Sequence, residues 1–377
     1  VAILNQKSKD DEEIGMKRIL TLDGGGIRGV FSLEILLRIE TLLREYYNAP
    51  KLVLADHFDF FAGTSTGAII AAALSWGMPV EEILTLYVKH GTTMFQHVPW
   101  YNPLKRILVS RYEAKPLSDL LRRTFSEDGE GEVPALLDTK RLKTLLLVVL
   151  RNHTTGSAWP ISNNPLAMYN DANLPDCNLK VPLWKLVRAS TAAPTYFDPE
   201  EIMLGGRRHV FVDGAITPYN NPALIAALMA VLPCYRLAWE TGPDKIRLIS
   251  VGTMRFSLAA ADVNVRHMWV GYHAVQIPAA LMQGIALEQD CMCRCLGQCI
   301  HGEELDSEIG NLEGAALSGR SWFSYTRYNK SYMGKDAEEF LRQNAELAQL
   351  DAIHAIPALR EIGHAYAQEH VCIEHLI

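Results

Sequence analysis

Two glycine-rich turns constrain this chain more than any other feature, because each sits between a short apolar β-type run and a helical run. Residues 17–23 (KRILTLD) read as a strand that enters Gly24-Gly25-Gly26. After Gly29, the run VFSLEILLRIETLLREYY puts Glu34, Arg38, Thr41 and Glu45 on one stripe, which predicts a helix. Glu34 precedes Arg38 by four, the favourable order for a helical ion pair. The pattern repeats with a strand at 58–62, a turn at 63–67 and a helix at 68–76 that is apolar all round, hence buried. A third helix is expected from Pro79, with Glu81 and Glu82 in its first turn and Lys89, His90 and Gly91 at its end. Further strands are expected at 144–150, 209–212 and 246–251, and a long loop at 163–182. Such alternation argues for an α/β fold with a mostly parallel sheet. Sites in these sheets form beyond the carboxyl ends of the strands, where both glycine turns lie.

The chain has 377 residues, 49% of them hydrophobic, enough for one large core with or without an extension. Residues 1–16 read as a flexible segment, 17–258 as the α/β domain, and 259–377 as a mainly helical extension packed on it. The net charge of -7 lacks the basic excess of a nucleic-acid binder, and no polybasic run would hold the chain on an anionic membrane. Residues 60–80 carry no charge, but Gly63, Gly67, Gly77 and Pro79 break them, so they read as buried core rather than a membrane span. Residues 1–18 lack the apolar stretch of a secretory signal, and the seven cysteines are expected to be reduced. The location expected is cytoplasmic, with peripheral membrane contact.

Gly63-Thr64-Ser65-Thr66-Gly67 is a G-x-S-x-G pattern between strand and helix. A serine on such a sharp turn has its hydroxyl exposed, and the helix behind it favours developing negative charge. Asp23-Gly24-Gly25-Gly26-Ile27-Arg28-Gly29 also fits G-x-G-x-x-G. One reading is a dinucleotide fingerprint, for which Asp56 or Asp59 would be the acidic partner. The other is an oxyanion hole of backbone N–H groups, favoured because the next strand runs straight into Ser65. Asp213-Gly214-Ala215 ends the short β segment 209–212, where Asp213 could reach Ser65.

Together DGGGIRG, GTSTG, RASTAAPTYF (188–197) and DGA, in this order, resemble the patatin-like phospholipases. The resemblance implies a three-layer α/β/α sandwich with C-terminal helices, and hydrolysis of ester-linked acyl chains from phospholipids or related lipids. It implies a Ser–Asp dyad on Ser65 and Asp213, with Gly24, Gly25 and Gly26 as oxyanion hole and Arg28 nearby. Gly29, Gly63, Gly67, Gly214 and Ala215 complete the motifs. The chemistry calls for no metal and no cofactor. Some bacterial members with helical extensions resemble effectors that cyclic nucleotides switch on in antiphage defence. A cyclic nucleotide would need aromatic and cationic groups such as those of 320–332 (RSWFSYTRYNKSY). A homo-oligomer is compatible with the sequence.

Two other functions remain open at this point. A Ser-His-Asp triad would draw on His364, His370 or His375, which follow Asp213 in the chain. A nucleotide-binding module would rest on G-x-G-x-x-G alone. Residues 94–104 (MFQHVPWYNPL) are aromatic and nearly uncharged; they read as a packed loop or as the mouth of an acyl pocket. Cys291, Cys293, Cys295 and Cys299 have spacings unlike those of zinc sites and read as thiols on a packed helix.

Overall fold

The computed structural model describes residues 15–96, 110–258 and 270–377. In chain order the strands are β1 (Lys17–Leu22), β2 (Phe60–Thr64), β3 (Leu145–Asn152), β4 (Ser157–Ser162), β5 (Glu200–Leu204), β6 (Arg207–Asp213), β7 (Ile246–Val251), β8 (Arg255–Leu258), β9 (Gln298–His301), β10 (Ser324–Tyr328) and β11 (Ser331–Met333). The helices are α1 (Gly29–Tyr46), α2 (Thr66–Ser75), α3 (Val80–Met94), α4 (Ala114–Thr124), α5 (Leu183–Ser190), α6 (Ala223–Val231), α7 (Val270–Leu296), α8 (Gly334–Gln343) and α9 (Ile356–His370). The segment 1–14 and most of the aromatic run 94–104 lie outside the described residues.

The main sheet runs β9, β10, β7, β1, β2, β3 with every pair parallel. β4, β5 and β6 add antiparallel pairings beyond β3. Side chains alternate between its faces, as the strand period of two requires. Leu20, Leu22, Phe61, Val148, Ile249 and Val251 enter one core with residues of α1, α2, α3, α5 and α9. Ile19, Phe60, Ala62, Leu147, Leu248 and Tyr325 enter the other, against α6 and Cys293 of α7. The result is three layers, helices on both faces of one mixed sheet.

The two strand-turn-helix units form, but the second turn is tighter than the expected 63–67, since Gly63 and Thr64 belong to β2 and Thr66 and Gly67 to α2; three further details differ. First, Glu34 pairs with Arg360 of α9 at 2.6 Å instead of with Arg38. The α1 face that carries Glu34 is covered by α9, so the partner comes from the covering helix. Second, α3 passes Gly91, which is buried against Ile356 and Ile353 and serves as a close contact rather than a stop. Third, the expected boundary near residue 258 does not divide the sheet. β9 and β10 come from the C-terminal part and continue the parallel run beside β7. Thus the C-terminal residues supply strands to the core as well as helices over it.

Leu359 of α9 is fully buried in the core shared with α1. Leu359→Ala is expected to cost about 2–5 kcal/mol of stability. Because the sheet is shared, urea denaturation should remain one transition by both tryptophan fluorescence and circular dichroism. Two separated transitions would contradict a common core.

Candidate active site

β3 brings the two motif ends together. One edge of β3 pairs with β4 over residues 147–152, so its other edge must serve both β2 and β6. β2 runs parallel along that edge up to Thr64 opposite Val149. β6 runs antiparallel along the remainder, with Asp213 opposite Leu150. Two strands of opposite direction therefore meet end to end, and the residues at the junction are Ser65 and Asp213. The Ser65 hydroxyl donates to Asp213 Oδ2 at 2.6 Å, across 148 residues of sequence.

Ser65 occupies φ 55 and ψ −124, a strained backbone for a residue with a side chain. The surroundings over-determine it. A Cβ on Gly63 would lie 2.1 Å from the Gly67 carbonyl oxygen, and one on Gly67 would lie 2.2 Å from the Leu22 carbonyl oxygen. Only glycines let the turn fold this tightly onto the end of β1. The Ser65 N–H donates to Ser190 Oγ at 2.9 Å, and the Ser190 hydroxyl donates to the Val149 carbonyl at 2.6 Å. Ser190 thus clips the turn to β3. Its residue falls in the RASTAAP segment, but nothing in the sequence gave it this task.

Asp213 is 2% exposed and both its oxygens are engaged. Oδ1 accepts the Ala215 N–H at 2.7 Å, which fixes the carboxylate toward Ser65. Burial pushes the Asp213 carboxyl up to about 7, while the hydrogen bonds from Ser65 and Ala215 and the Arg188 charge pull it partly back. A carboxylate so placed can accept a proton from a hydroxyl near neutral pH.

The glycine turn lies beside this pair, and its donors are not equivalent. The Gly24 N–H is committed to the Asn220 carbonyl at 3.1 Å. The N–H groups of Gly25 and Gly26 make no hydrogen bond among the described residues. Arg28 is half-buried and its Nε donates to the Gly25 carbonyl at 3.4 Å. Burial lowers its pKa to about 10, against the raising effect of Asp23 and Tyr196. Besides Asn220, three residues outside the motifs hold the turn. Arg327 of β10 makes a two-pronged pair with Asp23, at 2.9 Å and 2.5 Å. Burial opposes the Arg327 charge, but the Asp23 carboxylate outweighs it and raises its pKa above the ordinary value. The Leu350 carbonyl accepts the Ile27 N–H at 2.8 Å, and Thr253 Oγ1 donates to the Gly24 carbonyl at 3.0 Å.

Ser65, Asp213, the three glycines and Arg28 all line one cavity of about 760 Å³. Ile69, Tyr87, Met94, Phe95, Leu117 and Phe197 make one apolar stretch of its wall. Met282, Ala286 and Leu287 of α7 contribute another. No histidine lines it among the described residues. His370 and His375 instead lie beside His301, at ring distances of 5.6 Å and 5.0 Å. None of His364, His370 and His375 lines the cavity, so the triad alternative loses its three candidate bases. The dinucleotide alternative fails as well, since Asp56 and Asp59 precede β2 and lie at the end of the sheet away from the glycine turn. Asp59 accepts the Arg18 N–H there, and Asp56 accepts that of Val53.

The aromatic segment 320–332 and the cysteine cluster are both tied into the fold. In 320–332, Arg327 is committed to Asp23, and Tyr332 stacks on Phe340 at 4.0 Å and on Phe256 at 5.5 Å. These contacts tie the segment into the fold, and Arg327, Asn329 and Ser331 also line the cavity. Of the four clustered cysteines, Cys291, Cys293 and Cys295 lie on α7, with Cys293 fully buried in the α6 core, whereas Cys299 is not on the helix as expected but in β9, where it reaches the Asn311 carbonyl at 3.8 Å. Among the described residues no group of side chains is arranged to hold a metal, and no helix is long and apolar enough to cross a membrane.

Comparison with known proteins places the chain in a family. The Patatin-like phospholipase family pattern matches residues 20–227, more than half of the chain, and the chain belongs to that family. Patatin-17 of Solanum cardiophyllum is 29% identical over 270 residues, covering 67% of this chain and 64% of that protein. The cGAMP-activated phospholipase of Vibrio cholerae serotype O1 is 26% identical over 265 residues, 67% of this chain and 69% of that one. The 85/88 kDa calcium-independent phospholipase A2 of Rattus norvegicus is 31% identical over 229 residues, 58% of this chain but only 24% of the rat protein. The chain thus spans less than two thirds of the plant protein and about a quarter of the rat protein.

Ser190→Ala would leave the buried Ser65 N–H without its acceptor, at a cost of about 1–3 kcal/mol. The expected result is a lower denaturation midpoint together with a fall in kcat and little change in KM for a soluble ester. A variant with wild-type kcat would show that the turn does not depend on this clip.

Proposed function

We propose that this chain is a lipid acyl hydrolase that cleaves ester-linked fatty acids from phospholipids through Ser65 and Asp213. The observation that carries the proposal is the 2.6 Å hydrogen bond from the Ser65 hydroxyl to a buried carboxylate, set in a cavity with a long apolar wall. Family membership supports the substrate class.

In the reaction, Ser65 Oγ attacks the ester carbonyl carbon while its proton passes to Asp213 Oδ2. The carbonyl electron pair moves onto oxygen, where the free N–H groups of Gly25 and Gly26 and the Arg28 charge stabilise it. Collapse of the intermediate breaks the bond to the leaving oxygen, which takes the proton from Asp213. A lysophospholipid departs and the acyl chain remains on Ser65. Water then repeats the sequence, with Asp213 again accepting and returning the proton, and the fatty acid is released. The apolar wall gives the acyl chain a place out of water. The membrane contact such a substrate needs would be peripheral, and the substrate itself is the partner proposed.

A requirement for a cyclic nucleotide rests on the names of bacterial relatives such as that of Vibrio cholerae. Assays with and without cGAMP decide it: stimulation places an activator site on this chain, and equal rates remove it.

The pH dependence follows from Asp213. The working form is the carboxylate, and burial sets its pKa at about 7. Therefore kcat/KM should rise with pH and level off above about 7, falling about tenfold per pH unit on the acid side. Ser65→Ala and Asp213→Asn should each lose nearly all release of fatty acid from phosphatidylcholine vesicles while keeping the wild-type circular dichroism. Full activity in either folded variant would refute the assignment.

A further inference from the structure

Asn220 is a polar side chain that none of the motifs accounts for. Its segment is pinned between the two glycine turns. The Asn220 carbonyl accepts the Gly24 N–H at 3.1 Å, and the neighbouring Tyr219 carbonyl accepts the Thr64 hydroxyl at 2.6 Å. The side chain is thereby wedged beside the nucleophile. A Cβ built on Gly24 would lie 2.3 Å from Asn220 Oδ1 and 3.2 Å from the Ser65 Cβ. The residue is 8% exposed and its exposed part lines the cavity.

The two ends of this carboxamide differ. Oδ1 is buried with no hydrogen-bond partner and packs on the Gly24 backbone. A Cα–H contact of this kind suits an oxygen. The reverse orientation would turn both amide N–H groups onto a carbon with nothing to accept them, which is costlier. Nδ2 therefore faces the cavity, where it donates to no acceptor among the described residues. The backbone carbonyl of the same residue takes up the Gly24 N–H. Asn220 thus withdraws one donor from the glycine turn and presents another beside Ser65.

We propose that Asn220 is a catalytic residue whose side-chain N–H joins the Gly25 and Gly26 N–H groups in holding the oxyanion formed when Ser65 attacks. This rests on the reading of Ser65 as nucleophile. The amide gives up no proton: it donates a hydrogen bond that strengthens as the carbonyl oxygen gains charge. Such a bond stabilises the transition state more than the bound ester, so it acts on kcat rather than on KM.

The test compares the unaltered chain with Asn220→Leu, Asn220→Ala and Asn220→Asp, using a soluble p-nitrophenyl ester and an alkyl fluorophosphonate. Phosphonylation of Ser65 also builds negative charge on an oxygen, so it reports the same donor. The first two variants should lose about 10²–10³ in kcat, the loss typical of one oxyanion donor. KM should stay nearly constant, the phosphonylation rate should fall in parallel, and the pH midpoint near 7 set by Asp213 should not move. Asn220→Asp, close in size, puts a negative charge where the oxyanion forms and should be slower still. Folded variants that phosphonylate at the unaltered rate would overturn the inference and leave Ser65 as nucleophile. A shifted pH midpoint in Asn220→Leu or Asn220→Ala would also overturn it, since Asn220 would then act through Asp213. If the unaltered chain is not phosphonylated at Ser65, both readings fall together.

Discussion

The site depends on one constraint in the sheet. β3 has a single free edge beyond β4, and β2 and β6 share it from opposite directions. Strands that meet end to end must place their terminal residues in contact. This fixes Ser65 against Asp213 without any flexible loop between them and leaves the hydroxyl–carboxylate distance at 2.6 Å. The strained φ of Ser65 is held by the same arrangement, through Ser190 and the Val149 carbonyl. A carboxylate at the end of a buried strand is also poorly solvated. That raises its pKa and makes it a usable base.

The glycine turn is built differently, because its anchors arrive from far along the chain. Arg327 grips Asp23, Leu350 holds Ile27 and Thr253 holds the Gly24 carbonyl. All three anchors lie beyond the residues 20–227 that match the family pattern. The C-terminal part therefore does more than cover the core. It supplies two strands to the sheet and positions the backbone donors that face Ser65. Replacing the Asp23–Arg327 pair by one unpaired partner would leave a charge buried, typically at a cost of about 3–5 kcal/mol.

Much of this was legible because local sequence and tertiary role agree. KRILTLD and residues 58–62 are short apolar runs that lead into glycine turns, and they mark β1 and β2 to within two residues. The order of DGGGIRG, GTSTG and DGA pointed to the residues that converge. What the sequence hid was long-range pairing. β10 is SYTRY, whose arginine and tyrosines resemble a surface or ligand-binding segment, yet it is buried throughout because Arg327 has Asp23 and Tyr325 has Asp290. The three consecutive glycines likewise looked equivalent as donors. Only the position of the Asn220 carbonyl separates Gly24 from the other two. Glu34 chose Arg360 over the nearer Arg38 for the same reason: a covering element decides a partner that local spacing cannot.

In the mechanism proposed, the acyl group passes through Ser65 with Asp213 as its base. Rapid acid quenching during turnover of a slowly hydrolysed ester, followed by peptide mass mapping, tests it most directly. The acyl mass is expected on the peptide containing Ser65, building up within the first turnover and disappearing as substrate is exhausted. Acyl transfer to any other residue, or steady product release with Ser65 unmodified throughout, would contradict it.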